Sequence, residues 1–228
     1  MTRPARRPDR IPVPGPGQVA RHRLPAGIGN EFILTRMIKM VQAGRRDPLV
    51  ITTARKIAEL SVAAARQDGR RAPTGGMSGT HVLDGIHAWG REHFEYVDDP
   101  AGIELIQTPA RMLRQLEVPR ALHEAFWDPI RRGMTAGRRK QDWSPRRRAA
   151  PAPRITGDSD EAAVLALALA AAVGISPLRF GLGGHDGSLH YAWGEAYADG
   201  AWRIVDLLHE ERGAHPTFET VSSAEIPL

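Results

Sequence analysis

The stretch Gly157-Asp158-Ser159-Asp160-Glu161 is where the residue types of this sequence could do covalent chemistry. It opens a run, 159–173, built almost wholly of Ala, Leu and Val, a strong helix former that is apolar around most of its circumference. Unpaired backbone N–H groups and the helix dipole at such an N-terminus favour a developing anion, so a nucleophile placed there is activated. A thiol in that place would ionise more readily, and the neighbouring N–H groups would hold the oxyanion of an acyl-transfer intermediate. The same residues also have capping-box spacing, with Asp158 as cap, Glu161 reciprocating and Ser159 only a first-turn residue. Local sequence admits both readings.

Other candidates are less organised. His185, Asp186, His209, Glu210 and His215 are of ligand type but lack helical or ribbon spacing, so they read as scattered surface residues and no metal is expected. Gly181, Gly183, Gly184 and Gly187 are not followed by a helix, as a phosphate-binding turn requires, and read as a hairpin loop. Trp89, Trp127, Trp193 and Trp202 read as core. No cofactor is expected.

The elements that must position Ser159 follow from periodicity. Phe32, Ile33, Met37, Met40 and Val41 fall at helical spacing, and Asp47-Pro48 opens a second run through Leu49, Ile57, Leu60 and Val62, which predicts a helical hairpin over 31–68. After the Gly/Pro-rich breaker 69–79, the residues Val82, Leu83, Ile86, Trp89 and Phe94 mark another amphipathic helix that ends before Asp98-Asp99-Pro100. Thr108-Pro109 caps a helix bearing Met112, Leu113 and Leu116, and Pro119 restarts one with Leu122, Phe126 and Trp127. Beyond Gly174 come strand-like segments 178–183, 188–198 and 201–207, the last two joined by Asp199-Gly200, a strong two-residue hairpin signal. Helices first and antiparallel strands last make this an α+β chain.

Of the 228 residues, 31 are basic and 26 acidic, for a formal charge of +5, but the basicity is local. Residues 1–23 hold six Arg against one Asp, and 131–154 hold nine basic residues against one Asp; the rest is net acidic, which argues against a body-wide nucleic-acid surface. Residues 1–30 read as a flexible Arg/Pro-rich arm and 131–154 as a solvated basic loop insertion in the domain 31–228, with any polyanion contact confined to that loop. No cysteine is present, which removes disulfides, zinc ribbons and the usual thiol nucleophile. No secretion signal or membrane span is read, so a soluble, non-secreted, cytoplasmic protein is expected.

Several blocks, in order, resemble the transglutaminase-like proteins often encoded by bacteriophages. They are the helical run 37–59, Ile86-His87-Ala88-Trp89 with Phe94-Glu95-Tyr96-Val97, the stretch 99–109 from Asp99-Pro100 to Thr108-Pro109, Gly157-Asp158-Ser159-Asp160-Glu161, Glu195-Ala196-Tyr197-Ala198-Asp199-Gly200-Ala201-Trp202, and Val205-Asp206. Roughly residues 31–207 are covered. The resemblance implies a papain-like architecture in which a central buried helix packs on a C-terminal antiparallel sheet. It also implies a triad: a thiolate from Gly-Asp-Cys-Asp, a general-base His on the first hairpin strand, and an orienting Asp on the second. Here Ser159 stands in the cysteine column and Asp206 in the acid column, while Gln107 matches an oxyanion-side residue and equally reads as a polar residue before a helix cap.

The histidine is displaced. The family has it four residues before the strand Glu, which from Glu195 gives Tyr191, with His190 one residue too early. A two-residue Asp199-Gly200 turn sets Trp193 opposite Asp206, so Tyr191, Trp193, Glu195 and Asp206 share a face. His190 then points the other way unless a β-bulge between His190 and Trp193, for instance at Gly194, turns it. Two functions follow. One is a catalytically impaired transglutaminase-like domain kept for binding or assembly with protein partners in a phage or prophage particle. The other is an active peptidase, amidase or protein cross-linker acting on a peptide or amide through Ser159, His190 and Asp206.

Overall fold

Asp47 divides the first two helices, α1 (Gly29–Gly44) and α2 (Pro48–Gln67): its Oδ1 accepts the Leu49 N–H at 2.9 Å while Pro48 presets φ at the first helical position. A computed structural model describes residues 19–22, 29–67, 78–99, 104–117, 154–185 and 188–228. The helix expected around Leu122, Phe126 and Trp127, the breaker 69–77 and nearly all of the basic stretch 131–154 lie outside the described residues. Within the stretch expected as an arm, Val19–His22 form strand β1, whose partner is given below.

The expected helical hairpin is corrected in one respect. α1 and α2 are consecutive, but α1 packs chiefly on the Ala/Leu-rich helix α5 (Ser159–Ala172), and α2 on α5 and on α3 (Gly79–His93). The reason is the apolar surface of α5. Every residue from Ala162 to Ala170 is at most 2 % exposed, so this helix has no solvent face and draws neighbours to all sides. Burying each of its Leu side chains stabilises the fold by about 2 kcal/mol before conformational entropy is counted.

α3 ends one residue before Phe94, not beyond it as its apolar spacing predicts. Phe94 turns extended (φ −99°, ψ 134°) and begins strand β2 (Phe94–Tyr96). Two aromatic residues alternating about Glu95 suit a strand, and pairing supplies the backbone partners that a frayed helix end would lack. β3 (Glu104–Gln107) leads through the N-cap Thr108 into α4 (Pro109–Arg114) and a 3₁₀ turn, Gln115–Glu117. β4 (Ile155–Gly157) pairs parallel with β2, and β1 pairs antiparallel with β3.

The main sheet is antiparallel, in the order β7 (Ala201–Val205), β6 (Ser188–Ala198), β5 (Leu178–His185), β8 (Thr220–Ile226). Its inner face, with Ala192 and Ala196 of β6, takes α5. A Cβ on Gly194 would meet the Leu167 side chain at 2.9 Å, so the smallest residue is needed where helix and sheet touch. The β6–β7 turn has Asp199 at φ 50° and Gly200 at φ 83° with Ala198 opposite Ala201, the tight hairpin expected of Asp-Gly. The chain is thus α+β, with its central helix buried between helices and an antiparallel sheet. No described helix is long and apolar enough to cross a membrane.

Candidate functional site

Asp158 caps α5 by accepting the N–H groups of Asp160 (2.9 Å) and Glu161 (3.4 Å), and Glu161 Oε2 accepts the Asp158 N–H at 2.9 Å, closing a full capping box. Glu161 also reaches sideways: its Oε1 accepts the Gln107 N–H at 3.2 Å and so ties α5 to β3. Burial, with Asp158 and Asp99 close by, pushes the Glu161 carboxyl well above the ordinary range, and burial raises Asp158 as well. Oxygens of Asp99, Asp158 and Glu161 lie within 4.8 Å of one another. Three hard oxygen donors could hold a magnesium- or calcium-like ion. Each of these carboxylates, however, already accepts backbone N–H groups, Asp99 from Leu105. The grouping therefore has an ample structural explanation as a knot of caps and turns.

Ser159 follows the cap and is 5 % exposed. Its Oγ accepts the Ala192 N–H of β6 at 3.3 Å, so the mouth of α5 does meet the hairpin. Ala192 N–H is a donor, however, and cannot take the hydroxyl proton, as a general base must.

At the other end of the constellation, Tyr191 Oη donates to Asp206 Oδ2 at 2.8 Å. Asp206 is buried and spends Oδ1 on the Leu208 and His209 N–H groups, at 2.9 and 3.3 Å. Burial raises its carboxyl above the usual value, opposed by those N–H bonds and by the phenol. Burial, then the Asp206 charge, drives the Tyr191 phenol far above its ordinary value. The phenol therefore keeps its proton at neutral pH and serves Asp206 as a donor, not as a base.

Register explains why Tyr191 holds this place. Gly183 pairs with Tyr191 but Gly184 with Leu189, so His190 is an extra residue, a β-bulge. The bulge exists, at His190 itself and not at Gly194, where β6–β7 pairing is regular. It sets the exposed His190 ring beside His185, centroids 5.7 Å apart, and Phe218, 6.2 Å apart, while Tyr191 reaches Asp206.

Gln107 is 1 % exposed and its carboxamide is engaged inside the core: Nε2 donates to Thr156 O at 2.9 Å, and Oε1 accepts from Gln115 Nε2 at 2.8 Å. Gln115 Oε1 in turn accepts the Thr156 N–H and hydroxyl, both at 3.0 Å. This network joins β3, β4 and the 3₁₀ turn behind the cap. Gln115 and Thr156 carried no sequence signal, since isolated polar residues in apolar context look like surface.

The segment after Asp206 is held down by α3. Arg91 Nη1 donates to Leu208 O (2.6 Å), His87 Nε2 donates to His209 O (3.0 Å), and Arg212 pairs with Asp84 (2.8 Å). Burial lowers the His87 pKa, so the ring is neutral at pH 7 with its proton on Nε2. Farther along, His215 stacks on Trp193 (4.0 Å between centroids) and Phe218 lies parallel to it (5.8 Å), covering the outer sheet face. Trp193 also donates to Glu195 Oε1 at 2.8 Å, and Arg179 Nε donates to Glu195 Oε2 at 2.6 Å. Comparison with known proteins finds no family model, no curated protein and no solved structure that matches this chain.

Proposed function

We propose that the chain is a transglutaminase-like domain of papain-like architecture whose acyl-transfer site is disabled and which acts by binding a protein partner. Support for the family comes from the ordered sequence blocks, together with a buried helix whose amino end, at Ser159, touches β6, the strand whose Tyr191 bonds Asp206 just past β7. One observation carries the loss of catalysis: the Asp206 carboxylate is bonded by the Tyr191 phenol at 2.8 Å, where the family places a basic imidazole. A protonated phenol cannot relay a proton from a nucleophile, and a serine hydroxyl depends on such a base far more than a thiol does. The partner setting, assembly of a phage or prophage particle, is drawn from the blocks alone.

The test installs the thiol. Ser159→Cys and Ser159→Cys/Tyr191→His proteins are alkylated with iodoacetamide across pH. The single variant should titrate at or above the free-cysteine value of about 8.5, because carboxylates flank the site, and the double variant at least one unit lower. A thiol in the single variant that ionises well below neutral pH would show an activated site and return the chain to the active acyl-transfer reading.

A further inference from the structure

The two ends of the main sheet are finished differently, whatever family the chain belongs to. At the β7 end, α3 packs against the strand, and Asp199 of the adjoining turn bonds the Ser78 hydroxyl and the Thr80 N–H at the start of that helix. At the other end, no strand among the described residues pairs with β8 on the side away from β5. β8 keeps one register with β5 from Thr220 to Ile226, with no bulge to twist it away, and its sequence includes no proline, lysine or arginine. Edge strands are commonly guarded by those very features. Val221, Ser222, Ser223 and Glu225 are all exposed, Val221 at 57 %, so the strand is open on both faces as well as along its rim.

Such a rim offers the N–H and C=O groups of an extended backbone, and their complement is another extended strand. A second copy of β8 supplies one. About a two-fold axis normal to the sheet, two β8 strands run antiparallel and keep their faces in common, so residues of the same face must oppose each other. Val221, Ser223 and Glu225 share the outer face, in register with Gly183, Gly181 and Arg179. Centring the axis on Ser223 sets Val221 opposite Glu225, Ser222 opposite Ala224 and Thr220 opposite Ile226, so small side chains meet in the middle and no like charges face each other. Centring it on Ser222 instead opposes Glu219 to Glu225, and centring it on Ala224 brings Pro227, which has no N–H, into the ladder. We propose that β8 pairs with β8 of a second copy about Ser223, joining the two antiparallel sheets into one continuous sheet. One short strand a side falls well short of the roughly 20 residues that a stable interface uses, so the dimer forms only at high concentration.

The experiment follows the full chain by sedimentation velocity from about 10 μM to about 1 mM at low salt. The parent should move from monomer toward dimer across that range. Ser223→Lys sets two ammonium groups face to face on the axis, and Val221→Glu sets a carboxylate opposite Glu225; each should weaken self-association by about fivefold or more. Val221→Lys carries the opposite charge at the same place, faces Glu225, and should associate at least as well as the parent. Association unmoved by Ser223→Lys and Val221→Glu, or lost equally in Val221→Lys and Val221→Glu, would overturn the inference. So would a parent that stays monomeric at about 1 mM, which would leave the edge to a different extended chain. The replaced side chains are exposed, and circular dichroism matching the parent certifies that each variant is folded.

Discussion

The N-termini of α5 and α3 each receive a carboxylate, and the two carboxylates respond oppositely to their surroundings. At α5 the half-buried cap Asp158 and its buried partner Glu161 have Asp98 and Asp99 nearby, and burial raises both carboxyls. At α3 the N-cap is Ser78, and a second cap arrives from 121 residues away: Asp199, in the β6–β7 turn, accepts from Ser78 Oγ (2.6 Å) and from the Thr80 N–H (2.9 Å). Asp199 is exposed, and its hydrogen bonds hold its carboxyl below the ordinary range. Both caps accept backbone N–H groups, Asp199 accepts the Ser78 hydroxyl as well, and the largest cause differs: desolvation at α5, hydrogen bonding at Asp199. Where water is excluded, desolvation outweighs the N–H bonds; where water remains, the bonds win.

The comparison breaks most easily from the α5 side. Leu167→Ala should cost about 3 kcal/mol in urea unfolding, because the site is fully buried and rigidly surrounded; a loss under about 1 kcal/mol would mean that α5 is not the centre of the core. Glu161→Gln should cost about 2 kcal/mol near neutral pH, since one amide oxygen cannot serve both the Gln107 and Asp158 N–H groups. Its pH signature is sharper. A raised carboxyl contributes stability that is fully present below about pH 4.5 and lost as pH rises toward its folded value, and this descending slope should vanish in the variant.

Tyr191→Phe should cost about 1.5 kcal/mol by removing one donor from buried Asp206. The phenol favours the ionised carboxylate, so its removal raises the Asp206 pKa further, and the deficit relative to the parent should grow from about pH 4 toward neutrality. A deficit that shrank over that range would reverse the role given to the phenol. The smallest effect is expected at the exposed cap. Asp199→Asn should cost about 1 kcal/mol at pH 7, and the difference should begin to shrink only below about pH 4 and vanish further down, because a depressed carboxyl's contribution is full above its unfolded pKa and is lost as pH falls through its folded one. If α3 and α5 showed the same pH slope in these paired variants, hydration would not be what separates them.

Strong local signals were legible in the sequence. The Ala/Leu/Val run and the Asp158–Glu161 spacing gave α5 with its capping box, and Asp199-Gly200 gave a two-residue turn. Short elements were not. β8, Thr-Val-Ser-Ser-Ala-Glu-Ile, alternates too weakly to stand out, and its place is decided by pairing with β5. β2 was hidden in the apolar spacing of α3, and its extended backbone is supported by β4, some sixty residues away. At the site, sequence placed Ser159 at a helix mouth and named Tyr191 and His190 as rivals for the Asp206 side. A single extra residue at His190 separates their two environments.

By itself, then, the sequence determined what depends on neighbours a few residues apart: helix period, caps, the hairpin turn and the burial of α5. Tertiary structure decided which distant groups meet. The phenol on Asp206, Asp199 on the α3 cap and Gln107 in its buried network all rest on long-range register. A one-residue bulge changes that register while leaving the hydrophobic pattern almost untouched.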